Sequence, residues 1–239
     1  MTFRLTLTDP LWERLYGPYG ITNVSSVLCA LQRQWSQEQA NDLYWEQLHH
    51  QDTLYPVTYA ALPWLWERAP QDDDNLIFFS HLVACAGTAP TLNGLSDNHQ
   101  NHAASWLPHE KHLTPQDMAI LRQIEQTYLT LAPQISKAAL DAWRKDGAQC
   151  ALIAAHCALR GERMLGIVVE WIEAGQSDQS ILDDIGPMPA TATALCLDLA
   201  DLIAQSRPIL SQSMRLFAQH PAHETPPTEY CANTPDLFL

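Results

Sequence analysis

From Pro10 onward, apolar residues recur at three- and four-residue intervals, the spacing that lines one face of an α-helix. Val24, Val27, Leu28, Leu31 and Trp35 form one such stripe, and Leu43, Trp45 and Leu48 a second. Tyr59, Leu62, Leu65 and Trp66 form a third, and the run from Leu76 to Ala86 is strongly apolar throughout. Alternation with a period of two appears only in Thr2-Phe3-Arg4-Leu5-Thr6-Leu7, which reads as a short edge strand or an extended lead-in.

Start and stop signals divide this pattern into short helices. Asp9-Pro10 places a cap and a first-turn proline before Leu11, and Gly17-Pro18-Tyr19-Gly20 breaks the chain again. Asn23 caps the next helix. Ser36 with Gln39 resembles a capping box and opens a helix that is expected to end near His50-Gln51. Tyr55-Pro56 starts another helix, with Thr53 as a cap and a kink expected at Pro63. Asp72, Asp73 and Asp74 lie where the positive end of a helix dipole favours acidic groups, ahead of a helix closed by Gly87. Thr114-Pro115-Gln116-Asp117 is a strong helix start; that helix is expected to pause at Pro133 and resume to Lys145. Further helices are expected at about 148–160, 162–175, 190–205 and 208–219, separated by glycine and proline. Short helices with tight connections pack as antiparallel neighbours, and pairs of them can stack as a solenoid.

Two stretches depart from the pattern. Residues 88–114 are polar and long for a connection inside a compact domain, so they read as an irregular insertion. Residues 221–239 carry Pro221, Pro226, Pro227 and Pro235 and read as an extended or disordered tail. Residues 1–220 are expected to form a single all-α domain around the insertion.

Composition adds a sign to this picture. The 239 residues hold 13 basic and 27 acidic side chains, a net charge of -14, spread over both halves. Such a field repels nucleic acid and anionic membranes and attracts basic partners. No leader with a basic start and an apolar run is visible, and no apolar run is long enough to span a bilayer. None of the six cysteines forms a CxxC pair, which fits reduced thiols in the cytoplasm.

The segment from Leu48 to Pro63, Leu-His-His-Gln-Asp-Thr-Leu-Tyr-Pro-Val-Thr-Tyr-Ala-Ala-Leu-Pro, resembles a helix corner of bacterial HEAT-like repeat proteins. That corner often reads hydrophobic, His-Gln, Gly-Thr, Tyr-Pro-Ala-Thr. Here Asp52 stands where glycine is usual and Val57 where alanine is common. The resemblance, confined to residues 44–65, implies an α-solenoid that binds other macromolecules and brings no catalytic residues with it. Some small proteins of this kind look like immunity partners of secreted toxins. In purely physical terms the segment is a packing corner, with His49 and His50 ending a helix where imidazoles complement its dipole.

Candidate chemistry is sparse. His99-x-x-His102 and His109-x-x-His112, with Asp97 and Glu110 nearby, offer imidazoles and carboxylates of the kind that hold zinc. Cys150 and Cys157 share a helix face, with His156 adjacent to Cys157, and read as core. His220, His223 and Cys231 form a weaker terminal cluster. Asp183-Asp184 is expected in a loop before Gly186-Pro187. There is no phosphate-binding glycine loop and no basic patch with interleaved aromatics. Trp64 and Trp66 point about 200° apart on one helix, so one of them is expected at the surface.

These observations predict an all-α protein, a short HEAT-like solenoid or a globular helical bundle, that acts by binding a basic protein partner. An immunity protein occluding a toxin domain is the leading form of that expectation, with no cofactor and no catalytic residue. Asp72, Asp73, Asp74, Asp183 and Asp184 would steer the partner, and an exposed Trp66 or Tyr55 would anchor it. The alternative is a metal-dependent enzyme using His99, His102, His109 and His112.

Overall fold

The computed structural model describes residues 3–50, 53–86 and 113–220, and these are overwhelmingly helical, as an all-α fold requires. Helices α1 (Ser25–Arg33), α2 (Gln37–Asp42), α3 (Pro56–Arg68), α4 (Asp73–Ala86) and α5 (Pro115–Trp143) come first. Then follow α6 (Ala154–Ala158), α7 (Arg163–Glu173), α8 (Asp178–Ile185), α9 (Ala190–Leu202) and α10 (Pro208–Phe217). Two-residue strands pair antiparallel: β1 (Tyr16–Gly17) with β2 (Gly20–Ile21), and β3 (His49–His50) with β4 (Thr53–Leu54). The described chain divides into two compact units. Among the described residues, one holds residues 3–50, 53–86, 113–143 and 148–166, the other residues 144–147 and 167–220.

The core of the first unit is built around α4, buried on nearly every side by Leu76, Phe78, Phe79, Leu82, Val83 and Cys85. It packs against α5, α6 and the 3-10 turn Cys150–Ile153. Asp72 begins α4 by accepting from the Asn75 backbone N–H at 3.1 Å, so a residue chosen for its charge also works as a cap. Asn75 is itself fully buried and fully engaged. Its amide meets Asp72 at 2.7 Å and Gln37 at 3.0 Å, while the Tyr44 hydroxyl donates to its carbonyl at 2.9 Å. Ser80 joins α4 to the start of α6, donating to the Leu152 carbonyl and accepting from the Ala155 N–H, both at 2.9 Å. Both are buried groups that would otherwise lack partners.

Helix α5 runs unbroken through Pro133, where the sequence led us to expect a pause. One face of the helix is buried on both sides of the proline, at Tyr128, Leu131 and Ala132 and again at Ile135 and Ala139, so packing carries it through. Its start follows the local signal: Thr114 and Asp117 cap each other's backbone N–H groups at 2.9 and 3.1 Å. Arg14 grips the same carboxylate at 2.7 and 3.2 Å, holding Asp117 below the usual carboxylate range and tying the chain's beginning to α5. Residues 3–6 form a lead-in without strand pairing, followed by a turn at Leu7–Thr8. Phe3, Leu5 and Thr6 offer their carbonyls to Thr127, Trp64 and Trp12.

In the second unit, α9 and α10 pack together, and the Ser211 hydroxyl donates to the Ala200 carbonyl at 2.7 Å. Burial raises the Cys196 thiol to about 12, which leaves it an inert core group. No helix among the described residues is long and apolar enough to cross a membrane.

Candidate metal centre

The helix that opens at Ser36 does not continue to His50. After α2 the chain widens into a π-helical turn, Leu43–Leu48, and then straightens. A π-turn inserts a residue into the helical repeat and so turns the following side chains, a device common at functional sites. Here Tyr44 lies flat on Phe78, with centroids 3.8 Å apart, and Trp45 meets the same ring edge-on at 5.3 Å. Gly17 permits a close approach to this turn: a Cβ there would lie 3.1 Å from the Gln47 carbonyl oxygen.

His49 and His50 are therefore strand residues, not the end of a helix. Alternation along β3 buries His49 and exposes His50. His50 meets Tyr19, whose hydroxyl lies 3.3 Å from its Nδ1. The cap position of α3 falls two residues beyond Thr53. Tyr55 is the cap residue of α3, its N–H donates to the Thr58 hydroxyl at 3.1 Å, and that hydroxyl donates to the Leu48 carbonyl.

The inward imidazole of His49 reaches α4. Its Nε2 lies 2.8 Å from Nε2 of His81, and Sγ of Cys85 lies 3.3 Å from the same His81 nitrogen. All three atoms fall within 4.8 Å of one another. His81 and Cys85 are four residues apart, hence neighbours on one helix face. His49 and Cys85 are buried and His81 is half-buried. Trp45 covers the outer side, 5.6 Å from the His49 ring and 5.7 Å from the His81 ring, and is itself 41 % exposed.

Two imidazole nitrogens this close share either a proton, one ring donating to the other, or a metal ion. Zinc bonds of about 2.0–2.1 Å to nitrogen and 2.3 Å to sulfur set tetrahedral ligands roughly 3.3–3.6 Å apart. The His49–His81 separation needs an opening of about half an ångström and the His81–Cys85 separation of a few tenths, within the reach of small side-chain rotations. Two neutral imidazoles and one thiolate form a donor set suited to zinc and other borderline or soft metals.

Other residues singled out in the sequence are placed differently. Asp72 and Asp74 are exposed and Asp73 half-buried, all at the start of α4 in the first unit. Trp66 is half-buried, edge-on to Phe79 at 5.2 Å. Tyr55 is only 7 % exposed and packs against Tyr16, which corrects its expected role as a surface anchor. Asp183 and Asp184 are exposed in the second unit, and they lie within α8, not in a loop; Ser177 caps that helix and Gly186 ends it. His99, His102, His109 and His112 lie outside the described residues, as do His223 and Cys231. His220 pairs with Asp178 at 3.0 Å. A cavity of about 320 Å³ in the second unit is lined by Asp146, Glu173, Arg207 and Ser213 among apolar groups, and Arg207 is paired there with Glu173.

Cys150 and Cys157 are core residues, as their spacing implies. His156 is buried beside Arg160, 3.1 Å away, and burial followed by that charge lowers its imidazole from 6.5 to about 4. Below pH 6.5 the unfolded chain takes up this proton while the folded chain declines it until about pH 4. The stabilising contribution is full above pH 6.5 and is lost as pH falls to 4. His156→Gln should therefore reduce the stability lost on going from neutral pH to about pH 4.5, by about 1–2 kcal/mol after solvent screening, read by urea denaturation at both values. Equal losses in the two proteins would refute this.

Sequence reasoning passed over His81 altogether and treated Cys85 as a small apolar residue. The available signal was a histidine four residues before a cysteine in a strongly apolar helix, where a polar ring requires a partner. Comparison with protein-family models, curated proteins and solved structures finds no match to this chain.

Proposed function

We propose that this protein binds a transition metal of the zinc class through His49, His81 and Cys85. The observation that carries the reading is the convergence of two imidazole nitrogens and one sulfur on a single point between β3 and α4. Three protein ligands leave one tetrahedral position for water or substrate, the arrangement of metal sites that do chemistry. A bound zinc would polarise that ligand or lower the pKa of its water, which makes metal-assisted hydrolysis the reaction class that fits. The enzyme reading therefore rests on this trio, where sequence alone directed attention to residues 99–112. Equilibrium dialysis should find the His49–His81–Cys85 site filled at one zinc per chain, and His81→Gln or Cys85→Ser should lose that equivalent. Equal zinc uptake by all three proteins would exclude the site.

The second reading is protein recognition, as an acidic HEAT-like protein that binds and occludes a basic partner such as a toxin domain. It is favoured by the surface position of Asp72, Asp74, Asp183 and Asp184 on a chain of net charge -14. Asp73 and the half-buried Trp66 complete the candidate contacts. A tagged pull-down at low and high salt checks it. One stoichiometric basic partner, lost at high salt and on neutralising Asp72–Asp74, is the expected result. Capture indifferent to salt and to those substitutions would count against it.

A further inference from the structure

Trp45 lies against both imidazoles of the metal trio, its ring centroid 5.6 Å from that of His49 and 5.7 Å from that of His81. Aromatic rings in direct contact have centroids about 4.5–7 Å apart, so no further layer of atoms fits between the indole and either imidazole. The indole is held there from behind. Phe78 meets it at 5.3 Å and 81°, and Phe78 is itself fully buried and stacked on Tyr44. The π-turn Leu43–Leu48 carries both Tyr44 and Trp45, so one stretch of backbone positions both rings.

Burial decides from which side an outside ligand arrives. His49 and Cys85 are buried, whereas His81 is half-buried and the indole of Trp45 is exposed. Among the described residues, an exchangeable fourth ligand must therefore pass the side that His81 and Trp45 share.

We infer that Trp45 is the specificity-determining residue of this site, admitting water and compact ligands to the fourth metal position and excluding bulky ones. This inference rests on the metal reading above. The substrate class that follows is a scissile group at the end of a slender, unbranched chain. A ring or branch next to the coordinating atoms would have to push the indole off both imidazoles and away from Phe78, at the cost of those ring contacts. Water needs no such displacement.

The test compares two ligands with the same coordinating group, acetohydroxamate and benzohydroxamate, on the full chain loaded with cobalt(II). Shifts of the visible cobalt bands give each dissociation constant. The wild type should bind acetohydroxamate about tenfold more tightly, a factor within the range that overpacking costs. Trp45→Ala, at one cobalt per chain, should bring the two affinities together by raising that of benzohydroxamate. Trp45→Phe, with its smaller ring, should lie between. Equal affinities in the wild type overturn the inference without any variant, and so does a preference that Trp45→Ala leaves unchanged at one cobalt per chain. Benzohydroxamate held more tightly by the wild type than by Trp45→Ala also overturns it, because the indole would then recruit a ring instead of excluding one. These three outcomes leave the metal reading standing; a wild-type chain that takes up no cobalt overturns both.

Discussion

Zinc added to metal-stripped protein should raise its unfolding free energy by about 4 kcal/mol once the ion exceeds its dissociation constant a thousandfold. The site draws one ligand from β3 and two from α4, elements brought together only in the folded chain, so binding energy becomes folding energy. A chelator should reverse the gain, and His81→Gln should abolish it. Denaturant melts with and without zinc measure the effect. Identical melts for the wild type in zinc and in chelator would mean that the two histidines share a proton and nothing more.

Phe78→Ala should cost about 4 kcal/mol of stability, toward the upper end for loss of a large buried side chain. The ring is completely buried, stacked on Tyr44 at 3.8 Å and 7° and met edge-on by Trp45. Such pairs add about 0.5–1.5 kcal/mol beyond the area they bury. The loss should also reach the metal centre, because Phe78 backs the indole that covers His49 and His81. Zinc affinity should fall in Phe78→Ala, whereas Ile209→Ala, at a residue 82 % exposed in the other unit, should leave both stability and zinc binding unchanged. A Phe78→Ala protein with wild-type zinc affinity would separate the aromatic stack from the site.

Where the determinants were local, the fold was legible in the sequence. The helix starts at Pro10, Pro56 and Pro115 follow from a fixed proline φ and from capping groups within three residues, and all three appear where expected. The end of α5 at Trp143 and its passage through Pro133 depend on packing, which local signals do not carry. The π-turn at Leu43–Leu48 was hidden for the same reason. Its apolar residues fit an ordinary helix, and only their contacts with Phe78 and His81 favour the wider turn. Asp183 and Asp184 were assigned to a loop because Gly186-Pro187 follows so closely, yet eight residues suffice for α8.

The candidate site was less legible than the fold. His49 was noticed as half of a histidine pair, but its burial follows from strand alternation that a two-residue strand is too short to announce. Cys85 resembles the other buried cysteines until the fold places a second imidazole beside it. The sequence pointed to the histidines at 99–112 because they are close together in the chain. The described trio gathers residues 36 positions apart, from His49 to Cys85, which only the tertiary structure brings together.

The most direct test of the metal assignment is the absorption spectrum of the chain titrated with cobalt(II). The account predicts intense visible bands of a four-coordinate ion together with a near-ultraviolet thiolate charge-transfer band, saturating at one equivalent and lost in Cys85→Ser. Weak bands of a hydrated six-coordinate ion, unchanged by Cys85→Ser, would contradict it.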